Sequence, residues 1–233
     1  MNIRAREAAQ AIRYLAEHGY ESTTAGELAD AIGMSRSTFF RRFGSKEDVV
    51  FVDHELALAT LQRTLESTSD PAQQLLGSAI LEVMSRLTHD TEAARLRSEL
   101  LRHTPALRER ELVITHRYER VFAAYLEQIT EHGTPAWVPV SLAAALVAVH
   151  NAALRRLLRG SGTREIAFLE RDIAALLTLY SPWVGGAKDI DPAESRASQV
   201  LVAAFPSSTP PEQILRTVAM ELGADPRDAI IKR

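Results

Sequence analysis

The chain has 233 residues, of which 46% are hydrophobic and 24% charged, a composition typical of a folded globular protein rather than a disordered one. It contains no cysteine, which excludes disulfide scaffolds, thiol nucleophiles and cysteine-ligated zinc or iron–sulfur sites. The net charge of −3 gives no overall attraction to nucleic acid, so any contact with a polyanion must come from a local surface.

The first predicted helix covers residues 3–18, where Ala8, Ile12 and Leu15 recur at helical spacing. Its mixture of arginine and glutamate lacks the apolar run and the small-residue cleavage site of a secretory signal. Together with the absence of cysteine, this pattern favours a cytoplasmic location.

Two short helices are predicted next, over residues 24–31 and 35–41. Thr24 begins a capping-box pattern, Gly33 stands where a left-handed residue ends a helix, and Ser35 can cap the helix that follows. A helix, a tight turn and a second helix in this order predict a helix-turn-helix, whose second helix enters the major groove of DNA.

The second of these helices lies in the stretch SRSTFFRRFGSK, residues 35–46, which contains four basic residues and no acidic residue. A helix N-terminus favours Asp or Glu by roughly 0.3 to 1 kcal/mol each, so their absence beside Arg36 predicts that DNA phosphate supplies the negative charge. A solvated basic face is the alternative that composition alone leaves open. Phe39 and Phe43 are predicted to face the core.

Longer helices are predicted over residues 45–67, 71–88, 91–102, 105–131, 139–159 and 164–181. The chain therefore reads as all-α, with a helix-turn-helix domain over residues 1–47 and a larger helical bundle over residues 48–185, joined by a continuous helix after Ser45. Residues 186–233 are predicted to form a C-terminal extension, a strand followed by a capped helix.

Residues 4–52, with the stretch TTAGELADAIGMSRSTFFRRFGSKEDVV, resemble the N-terminal domain of the TetR family of bacterial transcriptional regulators. The resemblance rests on an ordered set of residues: Gly19, Tyr20, Thr24, Ala29, Gly33, Ser35, Thr38, Phe43 and Lys46. It implies a homodimeric, all-helical regulator, usually a repressor, whose third helix reads a palindromic operator in double-stranded DNA.

The resemblance also implies which side chains meet DNA: Thr24, Ser35, Arg36, Ser37, Thr38, Phe40, Arg41 and Lys46. Arg36 and Arg41 suit base edges, because an arginine can form two hydrogen bonds to guanine. The family commonly has a tyrosine that bonds a phosphate where this chain has Phe40, and a phenylalanine ring cannot donate a hydrogen bond.

For the bundle, the resemblance implies ligand binding and dimerisation. The helix over residues 139–159 is apolar nearly all round, so it should be covered on more than one side. We predict an intersubunit four-helix bundle that uses Leu142, Leu146, Val149, His150, Ala153, Ile173, Leu176 and Tyr180. A core within one chain is the alternative.

Aromatic, histidine and methionine side chains on the bundle helices suit a pocket for a largely apolar small-molecule effector: Met84, His103, His116, Tyr118, Phe122 and Tyr125. For each of them alone, an ordinary core or surface position is the alternative. No cofactor or metal site is predicted, because no set of spaced His, Asp and Glu residues stands out. No membrane span is predicted, since His150 and Asn151 interrupt the longest apolar stretch.

The predicted function is therefore that of a ligand-responsive, DNA-binding repressor and not of an enzyme. The sequence has no G-x-S-x-G, no H-E-x-x-H and no Gly-rich phosphate loop. Two alternatives stay open. The helix-turn-helix could dock a protein instead of DNA, or carboxylates and histidines from distant positions could assemble a helical enzyme.

Overall fold

A computed structural model describes residues 3–67, 71–160 and 164–184. These residues form ten α-helices and no β-strand, which confirms the all-α prediction. In chain order the helices are α1 Ile3–His18, α2 Ala25–Ala31, α3 Arg36–Phe43, α4 Lys46–Val50, α5 Val52–Ser67, α6 Ala72–Leu87, α7 Thr91–His103, α8 Pro105–Ile129, α9 Trp137–Leu158 and α10 Arg164–Leu179. The predicted C-terminal extension over residues 186–233 lies outside the described residues.

Helices α1 to α3 are positioned by local signals that the sequence carries. The Thr24 hydroxyl accepts the amide of Glu27 at 3.2 Å while the Glu27 carboxylate accepts the amide of Thr24 at 2.8 Å, which starts α2. Gly33 has a φ of +74°, a conformation that L side chains rarely adopt, and it ends α2 before Ser35 begins α3. Leu28 and Phe39 are fully buried between these helices.

The predicted continuous helix after Ser45 is wrong, because the chain breaks between α4 and α5 at Phe51. The Phe51 amide bonds to the carbonyl of Asp48, one residue nearer than in an α-helix. Four consecutive residues, 49–52, are fully buried. A straight helix would point four consecutive side chains all around its circumference, so the break lets all four reach the core.

Helices α5 to α10 form the bundle, in which α9 is covered by α6, α7, α8 and α10. Among the described helices, α9 is the one that is long and apolar enough to cross a membrane, but half of its most apolar 18-residue window is buried within the protein. Its apolar character is therefore explained by these neighbouring helices, as in the interior helix of a bundle.

Ion pairs connect the N-terminal helices to the bundle. Arg13 of α1 lies 2.7 Å from Asp90 and 3.0 Å from Glu92 at the start of α7, and Arg110 of α8 lies 2.5 Å from Asp48 of α4. Helices α1 to α10 belong to one compact unit. The division into domains after residue 47 stays a prediction.

Candidate DNA-binding surface and ligand cavity

One side of α3 brings together most of the residues predicted to meet DNA. The side chains at three- and four-residue spacing on this side are all exposed: Arg36, Ser37, Phe40 and Arg41. Ser35 is exposed at the N-terminal cap of α3, and Thr38 is half-buried. Thr24 and Lys46 stand apart from this face, at the starts of α2 and α4.

The N-terminus of α3 differs from those of its neighbours in charge. Glu27 stands in the first turn of α2, and Glu47 and Asp48 stand in that of α4, whereas α3 has no acidic residue there. The Ser35 hydroxyl oxygen accepts the amide of Thr38 at 3.2 Å and caps the helix without adding negative charge. The positive end of the α3 dipole is therefore left for an anion from outside helices α1 to α4, which we call the head.

The adjacent residues Phe39 and Phe40 have opposite environments. Phe39 is fully buried, with its ring centre 5.3 Å from that of Phe43, which confirms that both face the core. Phe40 is 40% exposed, and the Arg36 guanidinium carbon lies 5.7 Å from the centre of its ring. The pair thus anchors α3 with one ring and presents the other beside an arginine.

Lys46 has a structural role that sequence reasoning missed. Its ammonium donates to the carbonyl of Tyr20 at 2.7 Å and to that of Thr23 at 3.0 Å, and it lies 4.0 Å from the centre of the Tyr20 ring. The Tyr20 hydroxyl in turn donates to Glu47 at 2.5 Å. Lys46 therefore ties α4 to the turn between α1 and α2, and one of its three donors remains for another partner.

Thr24 is also engaged within the protein. Its hydroxyl and its amide both donate to the Glu27 carboxylate at 2.8 Å, and these hydrogen bonds lower the pKa of Glu27. The hydroxyl oxygen can still accept a hydrogen bond, but a phosphate needs a donor. A phosphate contact at Thr24 would thus require its hydroxyl to leave the capping box.

A cavity of about 220 Å³ lies among helices α5 to α9. Much of its wall is apolar, including Ile80, Val83, Ile114, Phe122, Val147 and Leu154. Two of the six residues predicted for a ligand pocket, Tyr118 and Phe122, line it. The Tyr118 hydroxyl donates to the His54 carbonyl at 3.2 Å, so this side chain also connects α8 to α5.

The other four predicted pocket residues lie elsewhere. Met84 is buried on α6 outside the cavity wall, and His103 is exposed in the last turn of α7. His116 and Tyr125 border a second depression, which Val140 of α9 also lines. All six residues were predicted for the pocket from residue type alone. Which of them line the cavity depends on the helices that pack against each one.

Arg97, His54 and His150 are among the polar side chains that interrupt the apolar wall of the cavity. Arg97 is 3% exposed, and its Nη1 lies 3.5 Å from an oxygen of Asp53. Nδ1 of His54 and Nε2 of His150 are buried and have no hydrogen-bond partner within the described residues. Burial lowers the pKa of His150 to about 4 and that of His54 well below its usual value, so both rings are neutral at neutral pH.

Sequence reasoning missed Arg97, although a signal was present. Ala93, Ala94, Leu100 and Leu101 form the buried face of α7, and Arg97 occupies the position between them on the same face. An arginine at a core position needs a partner, because an unpaired buried charge is costly. His150 was predicted for the dimer interface, and the structure places it in the cavity wall instead.

Five of the eight residues predicted for a dimer interface are corrected to core positions within one chain: Leu142, Leu146, His150, Ala153 and Ile173. They are buried because α9 and α10 pack against each other and α9 also packs against α8. Val149, Leu176 and Tyr180 are half-buried, and the Tyr180 hydroxyl donates to Ser141 at 3.0 Å. The side of α9 and α10 that carries these five residues is thus part of the core within one chain.

The opposite side of α9 carries a row of small apolar residues at four-residue spacing. Val140 is 56% exposed, Ala148 is exposed, and Ala144 and Ala152 are half-buried. Exposed alanines also occur on α10. Contiguous exposed apolar surface of this kind is typical of protein–protein interfaces.

Two stretches of the chain match the profiles of known protein families. Residues 9–51 match the bacterial regulatory proteins of the tetR family, and residues 69–181 match the MftR C-terminal domain. The first stretch includes α2, α3 and α4, and the second runs from α6 through α10. Among the described residues, no group of three or more potential ligands is placed to hold a metal ion.

Three similar proteins illustrate these matches. The mycofactocin biosynthesis transcriptional regulator MftR of Mycobacterium tuberculosis is 26% identical over 64% of this chain and 76% of MftR. The HTH-type transcriptional repressor AcnR of Corynebacterium diphtheriae is 34% identical over 42% of this chain and half of AcnR. The solved structure of the fatty acid degradation regulator FadR from Bacillus halodurans aligns with a TM-score of 0.55 over 76% of this chain and 96% of FadR, at 16% identity, which supports the fold.

Proposed function

The chain belongs to the TetR family of bacterial regulatory proteins, and we propose that it is a ligand-responsive transcriptional repressor that binds a palindromic operator as a homodimer. The observation that carries the proposal is the exposed, acid-free face of α3, with Arg36 and Arg41 on it and an uncompensated N-terminus beside it. A repressor of this kind acts in the cytoplasm, where it meets DNA.

The two kinds of DNA contact fall to different parts of this surface. Arg36 and Arg41 are exposed and long enough to reach base edges, where each correct bidentate contact discriminates by about 1 to 3 kcal/mol. The hydroxyl groups and amides around Ser35 suit phosphate oxygens, and so does the remaining donor of Lys46. Phe40 can contact a thymine methyl group or a sugar through its exposed ring.

We place the dimer interface on the exposed side of α9 and α10 rather than on the side first predicted. The row of Val140, Ala144, Ala148 and Ala152 has short side chains, so a second helix could approach closely. A two-fold axis through this surface would pair each α9 with its copy and place two heads on one DNA duplex. A symmetric dimer of this kind matches a palindromic site.

The cavity of about 220 Å³ is the proposed effector site. Helix α8 lines this cavity through Glu111 and also holds α4 through the ion pair of Arg110 with Asp48. An effector that binds more tightly when the heads are misaligned with DNA shifts the population towards that state and releases the operator.

Selection of bound fragments from genomic DNA tests the proposal. We expect a fragment with two-fold symmetry, whose affinity falls with salt by about 0.9 logarithmic units per contacted phosphate for each decade. Changing the sequence of one of the two half-sites in the selected fragment should remove most of the affinity of the dimer for that fragment. Recovery of no specific fragment, or equal binding of the selected and a scrambled sequence, would contradict DNA recognition.

A further inference from the structure

The polar cluster of Arg97, His54 and His150 has no complete set of partners inside the protein. Arg97 has a carboxylate partner in Asp53, but at 3.5 Å this contact is at the limit of a hydrogen bond. Nδ1 of His54 and Nε2 of His150 are buried without a partner in the described part of the chain. Buried polar atoms are nearly always hydrogen-bonded, so three under-satisfied groups in one cavity wall point to a polar group from a ligand.

These three groups line the same cavity, and besides burial the charge of Arg97 lowers the pKa of His54. Arg97 offers a planar cation with several donors, and Nδ1 of His54 can carry its ring proton. Nδ1 of His150 lies 3.2 Å from Oδ1 of Asn151 and donates to it, so Nε2 of His150 is an acceptor in the neutral ring and donates to a carboxylate only after the ring binds a second proton. A carboxylate can accept from a guanidinium and from ring N–H groups at the same time.

The charge of the cavity also favours an anion. Among the described residues, five arginines line it, against a single acidic residue, Glu111. Arg102 and Arg159 form no ion pair with a described carboxylate, and Arg155 interacts electrostatically with Glu111. In a protein with a net charge of −3, this local excess of positive charge would concentrate small anions at the cavity.

The remaining wall requires that the ligand also has an apolar part. Leucine, isoleucine, valine and phenylalanine side chains from α6, α7, α8 and α9 surround the polar cluster, among them Ile80, Leu101, Ile114 and Val147. A cavity of about 150 Å³ can hold benzene, which has six non-hydrogen atoms, so a cavity of about 220 Å³ corresponds to roughly nine.

We propose, on the basis of the repressor function above, that the effector is a small amphipathic carboxylic acid whose carboxylate binds Arg97, His54 and His150. Its apolar body, about the size of the chain of octanoic acid, fills the space between α6 and α9. This assignment replaces the largely apolar effector that the sequence predicted. The carboxylate provides hydrogen-bond partners for the polar cluster, and burial of the ligand's hydrocarbon chain supplies most of the remaining affinity.

Calorimetric titration of the full-length protein without DNA tests the ligand class with three probes of similar size. Octanoate is expected to bind, and octanamide, which has the same number of non-hydrogen atoms but no charge, should bind about ten- to a hundredfold more weakly. Octylammonium should not bind measurably, because it places a cation beside Arg97. Octanamide binding as tightly as octanoate, or no binding of octanoate, would overturn the proposal.

Three variants locate the carboxylate. Arg97→Gln should remove most of the preference for octanoate over octanamide. His150→Leu should weaken octanoate binding several-fold. It should still fold, because removal of the buried, unpaired Nε2 offsets the loss of the Nδ1 hydrogen bond to the half-buried Asn151. His103→Leu is the matched control, since this histidine is exposed and outside the cavity wall. If Arg97→Gln does not fold, unchanged octanoate affinity in His150→Leu alone overturns the placement.

Titration of octanoate into a complex with the selected operator separates this inference from the proposed function. Octanoate binding without release of DNA would leave the ligand class standing and overturn the effector role. Release of DNA by an uncharged ligand, with no octanoate binding, would overturn the ligand class and leave the repressor function standing.

Discussion

Arg110 of α8 and Asp48 of α4 form an ion pair, with Nη2 of the arginine 2.5 Å from a carboxylate oxygen of the aspartate. Arg110 precedes Glu111 in the cavity wall, and Asp48 lies two residues after Lys46. Since the side chains are 39% and 33% exposed, the pair contributes at most about 1 kcal/mol to the free energy of unfolding. Its position between the cavity and the head suggests a larger role in coupling than in stability.

Replacing Arg110 with Gln should therefore change the response to effector more than the stability. We expect unaltered DNA affinity without effector and a several-fold smaller loss of DNA affinity when octanoate is added. Fluorescence anisotropy with a labelled operator measures both. Arg117→Gln is the control, because Arg117 pairs with Glu55 of α5 and does not reach the head. An equal response to octanoate in both variants would rule out coupling through Arg110.

Adding a hydroxyl at Phe40 or at Phe39 should have opposite consequences. Phe40→Tyr places the hydroxyl on an exposed ring of the proposed DNA-binding face, so operator affinity should rise several-fold through one hydrogen bond to phosphate, with an unchanged melting temperature. Phe39→Tyr buries the hydroxyl in the core and should lower the free energy of unfolding by about 1 to 3 kcal/mol. Filter binding and urea unfolding measure the two effects. An unchanged operator affinity in Phe40→Tyr would show that this ring lies away from the DNA phosphates.

Lys46 and Arg36 should differ in the same two measurements. Lys46→Met keeps the aliphatic stem but loses the hydrogen bonds to the Tyr20 and Thr23 carbonyls, so we expect a loss of about 1 to 3 kcal/mol in stability and weaker binding to every DNA sequence alike. Arg36→Ala removes an exposed side chain, so stability should hold while the preference for the correct base falls by about 1 to 3 kcal/mol. A Lys46→Met protein with native stability would contradict the role of this residue in holding α4.

A charge in the middle of the alanine row on α9 should prevent dimer formation. In a two-fold interface Ala148 lies near its own copy, so Ala148→Glu would place two like charges at the contact. Sedimentation at micromolar concentration should show a monomer that has lost high-affinity operator binding. The control is Ala106→Glu, an exposed alanine in the first turn of α8, where a glutamate suits the helix dipole. A dimer that persists in Ala148→Glu would place the interface elsewhere.

The buried histidines should make the protein less stable in mild acid. An unfolded histidine titrates near pH 6.5, whereas burial lowers the pKa of folded His150 to about 4, so protons bind first to the unfolded chain. The stability that neutral His150 confers is complete above pH 6.5 and is lost between pH 6.5 and 4, at up to about 1.4 kcal/mol per pH unit. The free energy of unfolding of His150→Leu should thus decline less steeply across this window. Urea unfolding at about pH 7, 6 and 5 measures the slopes, and equal slopes would contradict the assignment.

The helix-turn-helix could be predicted almost completely from the sequence because local interactions define it. The Thr24 capping box, the left-handed Gly33 and the Ser35 cap each act within four residues along the chain, so their pattern is visible without knowledge of the fold. The burial of Phe39 and Phe43 followed from helical periodicity in the same way, whereas the exposure of Phe40 was implied by the family resemblance.

The sequence by itself thus determined an all-α chain, the frame of the head and the basic, acid-free character of α3. Only the tertiary structure decided which side of α9 is covered, that the chain breaks at Phe51, and that Arg97, His54 and His150 share one cavity. The last three residues come from α7, α5 and α9, so their meeting depends on how separate helices pack. An apolar face shows that a helix is covered, but it does not show whether the cover comes from its own chain, a second subunit or a ligand.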